Sequence, residues 1–190
     1  MQGDVTASIS NRMIRAARLE SGLYEEVERD VSATTQALTV VIIVALASGI
    51  GSALGLILRG NMGFGAVIVA FVFGIIWAVI FWAIWSFITY WLGTNLFGGT
   101  ATYGELLRTI GFAQSPSVLA IFTFIPAVGP LIAFIAGIWS LIAGIIAVRQ
   151  ALDFSTGKAI ITAIIGWIIL MVIFAILGGL GIAGVTMMGR

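Results

Sequence analysis

Polar and apolar positions divide this chain into a charged opening segment and a series of long apolar runs. Residues 1–36 carry Asp4, Arg12, Arg15, Arg18, Glu20, Glu25, Glu26, Glu28, Arg29 and Asp30. Within them Ile9, Met13, Ala16, Glu20, Leu23 and Val27 fall at alternating steps of four and three, which predicts an amphipathic helix interrupted at Ser21-Gly22. The apolar pattern starts only near Ala37, too late for a charged n-region followed by an h-region, so a secretory signal is not expected.

From Leu38 to Leu58 no charge occurs, and Arg59-Gly60-Asn61 closes this first span; Ser32 and Thr35 precede it as helix-start residues. A second span runs from Gly65 to Leu92. At 1.5 Å per residue it reaches about 42 Å, so its end extends into the headgroups, with Tyr90 and Trp91 as belt residues. Residues 93–115 form a polar connection, in which Thr102-Tyr103-Gly104-Glu105 has capping-box spacing and opens a short interfacial helix to Phe112.

The next apolar run, from Gln114 or Pro116 to Ile125, is short and ends in Pro126-Ala127-Val128-Gly129-Pro130. Two prolines four residues apart do not fit one straight helix. Either the run is a third span followed by a tight hairpin, or it is a re-entrant segment, which leaves four spans. Leu131–Val148 is the following span, and Ser155 or Thr156 opens a last helix from Lys158 to about Leu180. The expected fold is thus an all-α integral membrane protein of five transmembrane helices. Residues 1–36 form a cytoplasmic segment, 37–190 the transmembrane domain, and amphipathic helices lie at the N-terminus and between spans two and three.

Composition agrees with this pattern: 61% of the 190 residues are apolar, 9% are charged, and the mean hydropathy is +1.17. Soluble domains carry about 25% charged residues. The chain has neither His nor Cys, which removes zinc sites built on those residues, haem ligation through His, iron–sulfur clusters, disulfides and Cys or His catalysis. No cofactor is expected. A net charge of +1 without a basic cluster excludes nucleic acid as a partner.

The positions of Lys and Arg predict the orientation. Five spans place Arg12, Arg15, Arg18, Arg29, Arg108, Arg149 and Lys158 inside and Arg59 and Arg190 outside. The re-entrant reading moves Arg149 and Lys158 outside and Arg190 inside, a weaker bias. The N-terminus is expected in the cytoplasm and the C-terminus outside the plasma membrane of a prokaryote.

No span contains an ionisable residue, which argues against ion-coupled carriers, proton pumps and intramembrane proteases. Polar groups at depth are hydroxyls such as Ser48, Ser52, Thr123 and Ser140. Small residues recur at four-residue spacing: Ala47, Gly51 and Gly55; Ala136, Ser140 and Gly144, with Gly137 alongside; Ala175, Gly179 and Ala183. In lipid such stripes let helix backbones approach closely, so Gly51, Gly55, Gly137, Ser140, Gly144 and Gly179 are candidate packing or partner contacts. Arg12, Arg15, Arg18, Tyr103, Glu105 and Arg108 are candidate interfacial contacts, the first three able to meet anionic headgroups at about 1 kcal/mol each; the favoured alternative for the N-terminal helix is a juxtamembrane helix packing on its own bundle. Ser155-Thr156-Gly157-Lys158 lacks the earlier glycine of a phosphate loop, since Leu152 stands there, and reads as a helix cap.

Several pieces in order resemble the Yip1 domain family: Leu23-Tyr24-Glu25-Glu26-Val27-Glu28, Tyr103-Gly104-Glu105-Leu106-Leu107-Arg108 leading to Gly111-Phe112-Ala113-Gln114-Ser115-Pro116, the hairpin Ile125–Pro130, Ile138-Trp139-Ser140-Leu141, and Ser155-Thr156-Gly157-Lys158-Ala159. The resemblance covers about residues 20–180. It implies five helical spans and a cytosolic N-terminus. Eukaryotic members of the family are tied to Golgi trafficking and to small prenylated GTPases of the Rab type. Their Asp-Leu-Tyr-Gly-Pro motif is missing here, where Gly22-Leu23-Tyr24-Glu25 is a faint echo, so GTPase binding is not carried over. The compact form is similar to the prokaryotic branch.

Two functions follow as expectations. One is a non-catalytic scaffold, membrane organiser or accessory subunit, with the bilayer and other membrane proteins or further copies of itself as partners. The alternative is a pore or carrier for a small neutral or lipidic solute, with a path past Gln114, Ser117 and Thr123.

Overall fold

The computed structural model describes residues 8–58, 60 and 64–188, and the side-chain surroundings of these apart from 64, 174 and 177–188. Among the described residues there is no strand. Seven α-helices and one 3-10 helix follow in order: α1 Ile9–Ala17, α2 Ser21–Arg29, α3 Ala33–Leu58, α4 Phe64–Phe97, α5 Tyr103–Ala113, the 3-10 helix Ser115–Phe124, α6 Gly129–Ala151 and α7 Thr156–Met188.

Local chemistry explains most of the boundaries. The Ser8 hydroxyl accepts the Asn11 N–H at the start of α1. The break after α1 falls at Leu19, in the left-handed region at φ 61°, slightly earlier than the Ser21-Gly22 expected from composition. At α5 both halves of the capping box are present: Glu105 N–H donates to the Thr102 hydroxyl at 3.4 Å, and Thr102 N–H donates to the Glu105 carboxylate at 2.8 Å. The Ser155 hydroxyl receives the Lys158 N–H at the start of α7.

Four helices, α3, α4, α6 and α7, are long and apolar enough to cross a membrane. Residues 115–124 are not among them. This segment is a 3-10 helix of 10 residues, which at about 2.0 Å per residue reaches about 20 Å, two thirds of a hydrocarbon core of about 30 Å. Pro126, Ala127 at φ 64° and Gly129 then reverse the chain. Gly129 is required there, because any Cβ would collide with the Thr123 carbonyl.

The long segments close a ring in which each touches its neighbours: α3 packs on α4 and on the 3-10 helix, the latter on α6, α6 on α7, and α7 on α4. α5 plugs one end of this ring, against α2, α3, α4 and α6. The contacts also give chain direction. The 3-10 helix leaves α5 and climbs along α3 to Gly51 and Gly55, and α6 returns to the starting end, where Gln150 donates to Glu25 at 2.8 Å. There Thr100 also bonds Asp153, and the Lys158 ammonium reaches the Phe97 carbonyl at 3.1 Å. Arg149 and Lys158 therefore sit at the same end as α1 and α2, not at the opposite end as the re-entrant reading required.

Candidate functional site

The charged end is built around two arginines that the fold takes out of solvent. Arg12, on the inner face of α1, is 4% exposed. It donates through Nε to Glu26 at 2.9 Å, through Nη2 to Asp30 at 2.8 Å and through Nη1 to Gln36 of α3 at 2.9 Å. Arg15, one turn on, bridges Glu20 at 3.1 Å and Glu26 at 2.5 Å. Arg108 of α5 is 6% exposed and has no carboxylate partner among the described residues; it donates to the backbone carbonyls of Val27 and Glu28 and to the Thr34 hydroxyl. Those carbonyls end α2, where the helix dipole offers partial negative charge to the guanidinium.

This network sets the charge state of the cap. Burial by itself pushes the Glu26 carboxyl up, but hydrogen bonds from Arg15 and Arg12 overcome that and hold it below its ordinary value. Asp30 is lowered, first by its bond from the Ser32 hydroxyl and, against the opposing effect of burial, by Arg12. Glu28 goes the other way, to about 6, through burial and then repulsion from Glu105 and Asp153. Burial raises the Tyr24 hydroxyl, which is fully enclosed and has no hydrogen-bond partner among the described residues. The tetrapeptide Gly22–Glu25 thus turns its tyrosine into the core. Burial also raises Tyr103.

Of the expected interfacial residues, Arg12, Arg15 and Arg108 have partners within the chain, and Glu105 closes the capping box. The Tyr103 hydroxyl donates to the Ala83 carbonyl at 3.1 Å, and its ring meets Phe87 edge-on. Of Arg12, Arg15 and Arg18, only Arg18, which caps the C-terminal end of α1, is exposed. The second half of α5 is buried on all sides, from Thr109 to Ala113, and so does not lie on a membrane surface.

The small-residue positions separate into two kinds. At Gly51 a Cβ would stand 2.6 Å from the Thr123 hydroxyl and collide with the Ala120 carbonyl, and at Gly55 it would meet Phe124 Cα at 3.7 Å. Gly51 thus lets the 3-10 helix lie directly on α3, while Gly55 is at ordinary contact distance from it. Gly137 and Gly144 face open space, with nothing within 4 Å of an added Cβ. Both line a groove of about 350 Å³ walled by Phe81 and Trp85 of α4 and Trp167 of α7. Ser140, between them, pairs its hydroxyl with Ser117 at 2.7 Å. Gly179 lies outside the described residues.

A second groove of about 320 Å³ runs between α3 and α4, with Ser48, Ser52 and Gln114 on its wall. The polar residues expected to line one solute path do not converge. Gln114 faces this groove, Ser117 faces Ser140, and Thr123 bonds its own helix at Ala120 and packs against Gly51. Among the described residues no cluster of His, Cys, Asp or Glu is placed to hold a metal ion.

Sequence reasoning missed two partners. Gln36 sits just outside the first apolar run, where an amide carries no obvious signal. Trp139 was visible as an apolar residue of a span, but its indole N–H donates to the Ala17 carbonyl of α1 at 2.7 Å. Trp139 is 36% exposed, and its N–H finds its acceptor on α1, away from the apolar face of its own helix.

No match is found among curated proteins or among solved structures. The sequence profile of the Yip1 domain matches residues 21–177, from the start of α2 into the last helix, and so takes in the whole ring and its plug. A chain with four helices of membrane-spanning length and this match over most of its length is a multi-pass membrane protein belonging to the Yip1 domain family, a non-enzymatic membrane family.

Proposed function

We propose that the chain acts by contact, as a scaffold, organiser or accessory subunit within a membrane assembly, and not by chemistry. The observation that carries this reading is the open stripe of Gly137 and Gly144, flanked by Trp85 and Trp167. Without water to drive apolar faces together, helices in lipid associate through close backbone packing at such small residues. A helix of another membrane protein or of a second copy fits that requirement.

In this reading five segments cross in alternation, the short 3-10 helix making the third crossing. The charged end faces the cytoplasm of a prokaryotic cell, and the C-terminus lies outside. The gathering of Arg12, Arg15, Arg18, Arg29, Arg108, Arg149 and Lys158 at one end supports that orientation.

Purification in mild detergent tests the reading. A dimer, or a defined partner crosslinked to α1–α2 or α5, is the expected result; a monomer with no crosslinked product overturns it. The alternative, binding of a lipidic solute, draws support from Ser48, Ser52 and Gln114 on the groove between α3 and α4. Transfer of a labelled lipid between vesicles by the reconstituted chain, lost in Gln114→Leu, would favour it.

A further inference from the structure

The groove between α3 and α4 is turned away from the outer side of both helices. On α3 it is walled by Ser48, Gly49 and Ser52, which at 3.6 residues per turn lie opposite the exposed Ile50, Leu54 and Ile57. On α4 its wall is Val67, Phe71 and Gly74, opposite the exposed Val69, Val72 and Ile76. The groove therefore faces the middle of the ring, above the plug formed by α5.

Its wall is apolar except for the side chains of Ser48, Ser52 and Gln114. Other hydroxyls of the bundle are satisfied within the chain: Thr89, Thr94, Thr123 and Thr162 donate to carbonyls of their own segments, and Ser117 pairs with Ser140. Ser48, Ser52 and the Gln114 amide have no side-chain hydrogen bond among the described residues. Ser48 is the midpoint of the charge-free run Leu38–Leu58, about 15 Å from either end and so at the centre of a hydrocarbon core of about 30 Å. Gln114 falls between Gly111, which meets Ala37, and Ala120, which meets Gly51, and so lies on the cap side of Ser48. Three neutral polar groups thus stand at successive levels in an apolar slot at membrane depth, where polar groups without partners are costly.

We propose that this groove binds an uncharged lipid carrying two or more hydrogen-bonding oxygens. No charged residue lines the groove, so a charged headgroup would stand there unpaired. Ser48 and Ser52 are about 6 Å apart along the helix axis and can each donate to a separate oxygen, with Gln114 offering both donor and acceptor. The volume of about 320 Å³ fits the smaller ligand sites, which begin at about 300 Å³. A phospholipid keeps its charged group in the headgroup layer, about 15 Å from Ser48. Lipid quinones and diacylglycerols share the required chemistry and can carry their oxygens into the core. The proposal gives a ligand class to the groove of the lipidic-solute reading above and rests on that groove, but it requires no transfer.

The test is the melting temperature of the full chain in detergent with decylubiquinone, with dioctanoylglycerol, and with hexadecane as a probe without oxygens. At about 100 times its Kd, a ligand of the folded state is expected to raise melting by about 5 °C. One of the oxygenated probes is expected to do so, and the larger shift identifies the source. Ser48→Ala with Ser52→Ala removes hydroxyls that bond nothing in the chain, so the unliganded protein should melt within about 2 °C of the parent, while affinity falls about tenfold per lost bond. Gly74→Leu fills the groove from a position where an added Cβ meets nothing within 4 Å, and should abolish the shift. No shift with either oxygenated probe, an equal shift with hexadecane, or an unchanged affinity in the serine variant overturns the proposal. Lipid transfer between vesicles without a melting shift overturns it and leaves the transfer reading standing; a shift without transfer does the reverse.

Discussion

The cap at the charged end and the membrane-spanning helices α4, α6 and α7 are held together by different means. In the cap, Leu23, Tyr24, Val27, Leu106 and Phe112 are completely buried, and two arginines, on α1 and α5, donate to acceptors on α2, on α3 and at Asp30 between them. Along these spanning helices burial is sparse: only 11% of the apolar window of α4 and 22% of those of α6 and α7 lie inside the molecule. Charged hydrogen bonds in a closed environment specify one arrangement, since every displaced group leaves a donor or acceptor unpaired. Apolar helices in lipid have no such penalty for separating. The cap fixes the fold, and the outer faces of the spanning helices are left available for contact.

Removing an arginine should break this contrast most strongly. Arg12→Met leaves Glu26 and Asp30 without their shared cation and Gln36 without its donor, and is expected to cost about 3 kcal/mol, at the low end for a buried pair because the carboxylates are partly exposed. Limited proteolysis should then cut between α2 and α3 while the four long helices stay protected. Arg108→Met is expected to act alike by freeing the carbonyls of Val27 and Glu28.

Two glycines sharpen it next. Gly51→Ala forces the 3-10 helix away from α3 and is expected to lower stability by about 2 kcal/mol, read as the melting temperature in detergent. Gly144→Ala meets open space, so the monomer should melt within the equivalent of about 0.5 kcal/mol of the parent. Equal effects at the two positions would show that the stripes do not differ.

The smallest effect concerns pH. Glu28 titrates at about 6 in the folded chain, above the ordinary carboxylate value of 4.5, so between these values the folded state binds more protons than the unfolded one. Stability therefore falls as pH rises through that window. Glu28→Gln should gain about 1 kcal/mol at pH 7, after allowing for solvent screening, and nothing at pH 4. Glu26 and Asp30 have the opposite sign: their stabilisation is full above the ordinary carboxylate range and is lost as pH falls through their lowered values.

Much of this arrangement was legible in the sequence because lipid demands long charge-free runs and side-chain caps act locally. α3, α4, α6 and α7, and the capping box of α5, needed no tertiary information. The segment 115–124 was harder, since apolarity reports depth and not backbone type, and Pro116 and Pro126 mark only its limits. Whether a glycine stripe meets its own chain depends on which helix lies opposite, so Gly51 and Gly144 look alike in sequence and differ in space. Arg12 and Arg15 fit a headgroup-facing pattern equally well until Glu26 and Asp30 fold back beside them; periodicity gives the spacing on one helix and not the neighbour across it.

The most direct test of the spanning helices as a contact surface uses Leu141→Cys, on the rim of the groove and 59% exposed in the isolated chain. In native membranes a membrane-permeant bifunctional thiol-reactive reagent is predicted to give a discrete higher-mass adduct, containing a second copy or one defined membrane protein. Gly144→Trp in the same chain should abolish that adduct without changing the melting temperature by more than about 2 °C. An unmodified monomer band under the same conditions would contradict the account.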